Sequence, residues 1–298
     1  MLVLLETKMY VISATYRDPT PPQGLRVVMD WAPVEELPFD YREVWLALVL
    51  YQSFLAGFSK TALLNGGYRI TMPISKIKMA LFGGYNGIRF GEAVWGIFKT
   101  GAEIARRYPS PSLVLGSSSS IYTTAGYRGK LTMRRPSTPV TDKNWTSTAS
   151  ATQPPIPTRR DIIRSFEYED SGVEISLDDP NLEIHYQFSG QPVPGSQMLT
   201  AFMRSVIFCS EYMGLHTNVH ITAFSSDFFF RLQMDRTQVS GPTQLTWHYA
   251  SLALRTLWMQ IVMRFDESTK TFHDQPRFES LSYEIEYKEV RIGGGWIG

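Results

Sequence analysis

The sequence predicts an α+β protein made of two tandem units of ferredoxin-like type, each an antiparallel sheet with helices packed on one face. Three observations carry this reading. The order strands, helix, hairpin, helix, closing strand can be read twice along the 298 residues. A segment poor in apolar residues separates the two readings, and the balance of charge changes sign across it.

In the first unit, residues 1–134, Met9 to Tyr16 and Leu25 to Trp31 read as strands around the turn Asp18-Pro19-Thr20-Pro21-Pro22. A helix follows from Tyr41 to Phe58, apolar nearly all round and so expected to be deeply buried. Tyr68 to Ile74 and Ile77 to Phe82 form a hairpin, and Gly83-Gly84-Tyr85-Asn86-Gly87 breaks the chain. The next helix, Phe90 to Tyr108, sets Glu92, Lys99, Glu103 and Arg106 against Val94, Ile97, Phe98 and Ala105, the 3.6-residue period of an amphipathic helix. Pro109 and Pro111 end it. Leu113 to Leu115 and Ser119 to Met133 supply the closing strand, with glycines that suggest a turn or bulge.

Residues 135–160 are dominated by Ser, Thr and Pro and cannot bury enough apolar surface to offset their ordering entropy, so they read as a linker or long loop. They contain the sequon Asn144-Trp145-Thr146, which matters only in a secreted chain.

The second unit, residues 161–298, repeats the plan. Phe166 to Leu177 and Leu182 to Phe188 flank the turn Asp178-Asp179-Pro180-Asn181. A helix from Ser196 to Gly214 buries Leu199, Phe202, Met203, Val206 and Cys209; strands Val219 to Phe224 and Phe228 to Met234 surround Ser225-Ser226-Asp227. A helix from Thr243 to Phe265 comes next, and one strand from Phe278 to Ile292 closes the unit, its Leu281, Tyr283, Ile285 and Tyr287 alternating with polar residues. Gly293-Gly294-Gly295 reads as a flexible tail from which Trp296 can dock. The phrase Gly241-Pro242-Thr243-Gln244-Leu245-Thr246-Trp247, running into a helix, resembles uncharacterised proteins of filamentous fungi with a similar twofold plan. That resemblance covers the second unit better than the first, implies no activity and carries no functional residue. Internal duplication is the economical account of the repeated order.

Composition excludes several classes. A single cysteine rules out an intramolecular disulfide and a cysteine-cluster metal site. The apolar run Val44 to Phe58 is shorter than the roughly 20 residues a membrane helix needs. Met1 to Tyr10 has no signal-peptide core, so the reading is an intracellular, cytoplasmic protein without membrane insertion. Aromatic residues make up 13%, which predicts an aromatic-rich core. The net charge of +1 gives no global field toward nucleic acid, and no nucleic-acid partner is expected. Its distribution is uneven: residues 1–135 carry 16 Lys and Arg against 9 Asp and Glu, whereas residues 161–298 carry 10 against 18.

Chemical motifs are sparse. The glycine-rich stretches lack the spacing of phosphate loops, and no nucleophile elbow occurs, so no cofactor is expected. His216 and His220 have zinc-ligand spacing, but Gly214 has already ended the helix and no metal site is assigned. The candidate acid-base group is His248, which with Ser251 and Arg255 forms a polar stripe on an otherwise apolar helix; Tyr249 and Asp227 complete the candidate catalytic set.

The leading functional reading is a non-catalytic binding or assembly protein that pairs oppositely charged repeats, with a second copy or another protein as partner. Its interaction residues are Arg128, Lys130 and Arg134 in the basic closing segment of the first unit and Glu284, Glu286 and Glu289 in the acidic closing segment of the second. These segments are expected to meet edge to edge. The alternative is a small-molecule enzyme or carrier with an aromatic-lined pocket between sheet and helices, holding a small apolar ligand.

Overall fold

The computed structural model describes residues 18–33, 38–64, 66–71, 77–108, 113–134, 171–215, 218–224, 231–237, 244–263, 265–266, 271–272 and 276–298. In chain order the first half holds β1 (Arg26–Trp31), β2 (Phe39–Asp40), α1 (Tyr41–Ala56), β3 (Leu63–Leu64), β4 (Gly67–Thr71), β5 (Lys78–Gly83), β6 (Ile88–Arg89), α2 (Phe90–Arg107), β7 (Leu113–Val114), β8 (Ser117–Thr123) and β9 (Gly126–Arg134). The second half holds β10 (Ser171–Ile175), β11 (Leu182–Pro192), α3 (Gly195–Tyr212), β12 (His220–Phe224), β13 (Arg231–Arg236), α4 (Trp247–Met263), β14 (Phe265–Asp266), β15 (Thr271–Phe272), β16 (Glu279–Tyr287) and β17 (Val290–Ile297). The fold is mixed α+β, as expected. The strand expected at Met9 to Tyr16 and the expected linker both lie outside the described residues, as does Asp227.

Local chemistry sets the helix starts. Asp40 caps α1 by accepting from the Arg42 backbone N–H at 2.9 Å, and the Arg42 guanidinium folds back onto the same carboxylate at 2.6 Å. At α2 the Glu92 carboxylate accepts from the Arg89 N–H at 2.9 Å, while Arg106 and Arg107 occupy the last turn, where cations suit the helix dipole. Thr246 caps α4, its hydroxyl accepting from the Tyr249 N–H at 3.2 Å.

Two large antiparallel sheets form, with strand orders β1-β8-β9-β5-β4 and β10-β11-β16-β17-β13-β12; three two-stranded ladders pair β2 with β7, β3 with β6 and β14 with β15. In each large sheet the strand before the first helix pairs with the first strand of a closing hairpin, and the hairpin's second strand pairs with the later strand of the middle hairpin. The single closing strand expected at Phe278 to Ile292 is in fact two strands, β16 and β17, joined at Lys288-Glu289. Both turn residues have positive φ, 51° and 64°, the backbone of a type I′ turn. The expected glycine tail is likewise part of β17. Gly293 and Gly295 face inward, where a Cβ on the first would lie 2.6 Å from Leu245 Cδ2 and one on the second 2.8 Å from the Tyr283 hydroxyl. Trp296 therefore stands on a strand, not on a tail.

The four helices fill the space between the sheets. Helix α2 packs on β1 and β8, α3 on β12 and β13, and α4 on β10 and β11; across the middle, α1 meets α3 and α4 while α2 meets α3. One hydrophobic core therefore runs through both halves, from Leu81 and Ile121 under the first sheet to Ile184 and Ile285 under the second. The Trp258 indole N–H donates to the Trp45 carbonyl at 3.2 Å across this layer, Trp45 meets Phe278 at 5.7 Å between ring centroids, and Phe202 meets Trp258 at 4.9 Å. A Cβ on Gly101 of α2 would sit 2.5 Å from Met203 Sδ of α3, so a side chain there would have to displace the flexible end of Met203 where these helices meet.

Two predictions concern these elements. Burial would raise the Asp40 carboxyl, but the side-chain and backbone hydrogen bonds of Arg42, with its charge, outweigh this and hold it below the usual carboxylate range. Asp40→Ala should then cost about 1 kcal/mol at neutral pH. That difference should be lost as pH falls through the lowered value, as read from urea midpoints across acid pH. Replacing the turn by Lys288→Asn with Glu289→Gly relieves left-handed backbone at non-glycine residues and should raise stability by about 1 kcal/mol, seen as a higher urea midpoint at unchanged slope.

Candidate interaction surfaces

With their inner faces on the helices, the two sheets present outer faces whose composition follows from strand alternation. On the first sheet, Met79, Leu81, Leu131 and Met133 point inward and are buried. Lys78, Ala80, Phe82, Lys130, Thr132 and Arg134 consequently point outward. Register places these in rows across the strands: Val28, Ser120, Lys130 and Phe82; then Asp30, Ser118, Thr132, Ala80 and Arg69; then Arg134 beside Lys78. Arg26 lies with its guanidinium 4.8 Å from the Tyr122 ring centroid, and Arg69 lies 5.6 Å from that of Phe82. Among the described residues this face carries five cations, Arg26, Arg69, Lys78, Lys130 and Arg134, against the one acid Asp30. The centre of its middle row, Ser118, Thr132 and Ala80, is made of small side chains and is buried.

The outer face of the second sheet is different. Leu281, Tyr283 and Ile285 are buried inward, leaving Ser282, Glu284 and Glu286 outward, with Glu183, His185 and Gln187 of β11 beside them. Glu284 pairs with Arg291 at 2.8 Å. Across the sheet, the Arg231 guanidinium donates to the Gln233 side chain at 2.7 Å and stacks 5.3 Å from the Trp296 ring centroid; Gln233 in turn donates to Asp235, which also meets His220. Among the described residues, the four carboxylates Glu183, Asp235, Glu284 and Glu286 stand here against Arg231 and Arg291. Trp296 is 40% exposed, between Ser282 and Gln233.

The structure thus brings Lys130 and Arg134 to one outer face and Glu284 and Glu286 to the other, and corrects how they can act. Neither β9 nor β16 is an edge strand, since β9 lies between β8 and β5 and β16 between β11 and β17. Their backbone groups are already paired, so edge-to-edge pairing of the closing segments is unavailable to them. Arg128 is also not a surface charge: it is 8% exposed, its Nε donating to Glu92 at 3.0 Å at the start of α2. Glu289 sits in the β16–β17 turn.

The candidate catalytic set does not converge among the described residues. His248 is exposed and lies 5.9 Å from the Tyr249 ring, centroid to centroid. Arg255 pairs with Asp178 at 2.7 Å, tying α4 to the turn after β10, and Ser251 is buried. The Tyr249 ring packs 4.8 Å from Tyr287, and its hydroxyl is pushed up to about 12, by burial and then by the Tyr287 hydrogen bond and the charges nearby, so it stays protonated at neutral pH. Cys209 is fully buried in α3, and that burial pushes its thiol well up, opposite to what a nucleophile needs.

One grouping escaped the sequence reading. Glu183, His185 and Glu286 offer ligand atoms all within 4.8 Å of one another, with His185 Nε2 at 3.4 Å from Glu286 and 3.7 Å from Glu183. These residues could hold a metal ion. Glu183 and Glu286 are register partners more than a hundred residues apart, so spacing in the sequence gives no signal of it. No family model matches the chain, nor does any curated protein or solved structure.

A further prediction follows from Arg128. Glu92→Ala leaves the Arg128 guanidinium largely buried without its carboxylate and should destabilise the fold by about 3 kcal/mol, measurable by urea denaturation, with Glu92→Gln recovering part of the loss.

Proposed function

We propose that this protein is a non-catalytic binding and assembly protein whose working surfaces are the outward faces of its two sheets. The observation that carries this reading is their opposed charge, basic on the first sheet and acidic on the second. The helices, the other apolar-faced elements, are taken up in joining the halves to each other. A molecule with unlike faces on its two outer layers can join copies of itself head to tail, and association driven by such charges weakens as salt screens them.

The same reading treats the two halves as tandem copies of one α+β unit, of ferredoxin-like type in having an antiparallel sheet with helices on one face, and derived by internal duplication. The matching strand orders support it. Duplication supplies two similar faces, and divergence of their outward side chains then supplies the complementary charge.

Native mass spectrometry across ionic strength tests the function. Oligomers at low salt that dissociate toward monomer near 1 M salt are expected, because the screening length falls to roughly 3 Å there. A monomer at every salt concentration contradicts the reading.

A further inference from the structure

We infer that Glu183, His185 and Glu286, on the outer face of the second sheet, bind one divalent transition-metal ion of the zinc class. The site goes beyond the assembly reading and does not rest on it, since a chain that is monomeric at every salt concentration can hold the ion.

Strand alternation builds the cluster. Glu183 and His185 are two residues apart on β11 and share its outward face, and Glu286 of β16 is the register partner of Glu183. Both strands are interior to the sheet, paired on either side, which fixes the backbone beneath the three side chains. The three ligand atoms lie within 4.8 Å of one another. From His185 Nε2 it is 3.4 Å to a Glu286 carboxylate oxygen and 3.7 Å to one of Glu183. A charge-assisted hydrogen bond would draw such atoms to about 2.8 Å. Two ligand atoms each about 2.1 Å from one ion, in tetrahedral directions, stand about 3.4 Å apart. The spacing is therefore that of atoms around a shared ion.

A second observation points the same way. The His185 ring is half-buried, yet its Nε2 is sealed from solvent and has no hydrogen-bond partner among the described residues. A polar atom buried in this way costs stability unless something meets it. The carboxylates have a matching need. Glu183 and Glu286 stand directly opposite each other, where like charges destabilise a sheet, and among the described residues neither pairs with a lysine or arginine. Arg291, the register partner of Glu286, pairs instead with Glu284 at 2.8 Å. A cation between the three side chains satisfies the nitrogen and both carboxylates at once.

The donor set selects the ion. Calcium takes six to eight oxygens and magnesium a near-complete oxygen octahedron, whereas one imidazole with two carboxylates suits zinc and its first-row neighbours. Three protein ligands leave a fourth tetrahedral position, filled by water or by an oxygen donor from outside the chain.

The test strips the full chain with a chelator and titrates it with Zn2+ by calorimetry, with Mg2+ as the control. One Zn2+ per chain should bind and raise the urea midpoint, and Mg2+ at the same concentration should leave the midpoint unchanged. His185→Ala, and separately Glu286→Gln, should weaken Zn2+ binding by about tenfold or more. Glu286→Gln also removes the opposed charge, so its metal-free urea midpoint should be no lower than that of wild type, an outcome that a folding defect cannot produce. His220→Ala, which breaks the separate His220–Asp235 contact on the same sheet, should bind Zn2+ as wild type does. Zn2+ binding that survives His185→Ala and Glu286→Gln unchanged would mean an adventitious ion only and overturns the site. So does a wild-type chain that binds no Zn2+, or one that Mg2+ stabilises equally.

Discussion

The buried contact between the helix layers is the constraint on which the rest depends. Trp258 of the second half gives its indole N–H to the Trp45 carbonyl of the first, deep in a layer where Trp45, Phe278, Phe202 and Trp258 pack ring against ring. Helix α1 is apolar nearly all round because it has no solvent side: the other half covers what its own sheet does not. Separating the halves would expose that surface to water, at a cost of about 25 cal/mol for each Å² of apolar area uncovered.

Because the helices face inward, the sheets must face out. Each sheet then has one apolar face and one polar face, and strand alternation alone decides which side chains meet solvent. The charge balance of the two halves becomes spatial in this way. A chain of net charge +1 carries a cationic surface on one outer layer and an acidic one on the other. The inward glycines of β17 serve the same geometry, letting that strand lie close over Leu245 and Tyr283.

Much of this was legible in the sequence, for identifiable reasons. Helix α2 starts at the residue expected, Phe90, because its charged and apolar residues alternate at helical period and prolines follow it. That Lys130, Arg134, Glu284 and Glu286 point away from the core was also readable, since these charges alternate with apolar residues. What could not be read depends on three-dimensional register. Lys288-Glu289 carries none of the Asn or Gly that marks a type I′ turn, so the closing hairpin looks like one strand and its glycines like a tail. The insertion of that hairpin into the middle of its sheet has no local signal either, and so the edge-strand expectation fails. Arg128 looks like its neighbour Lys130 until the fold brings Glu92, 36 residues earlier, against it.

Differential scanning calorimetry of the monomer in dilute, high-salt solution tests the shared helix layer most directly. A single core through both halves predicts one unfolding transition, with calorimetric and van't Hoff enthalpies equal. Two resolved transitions, or a calorimetric enthalpy near twice the van't Hoff value, would mean that each half holds its own core, and would contradict the account.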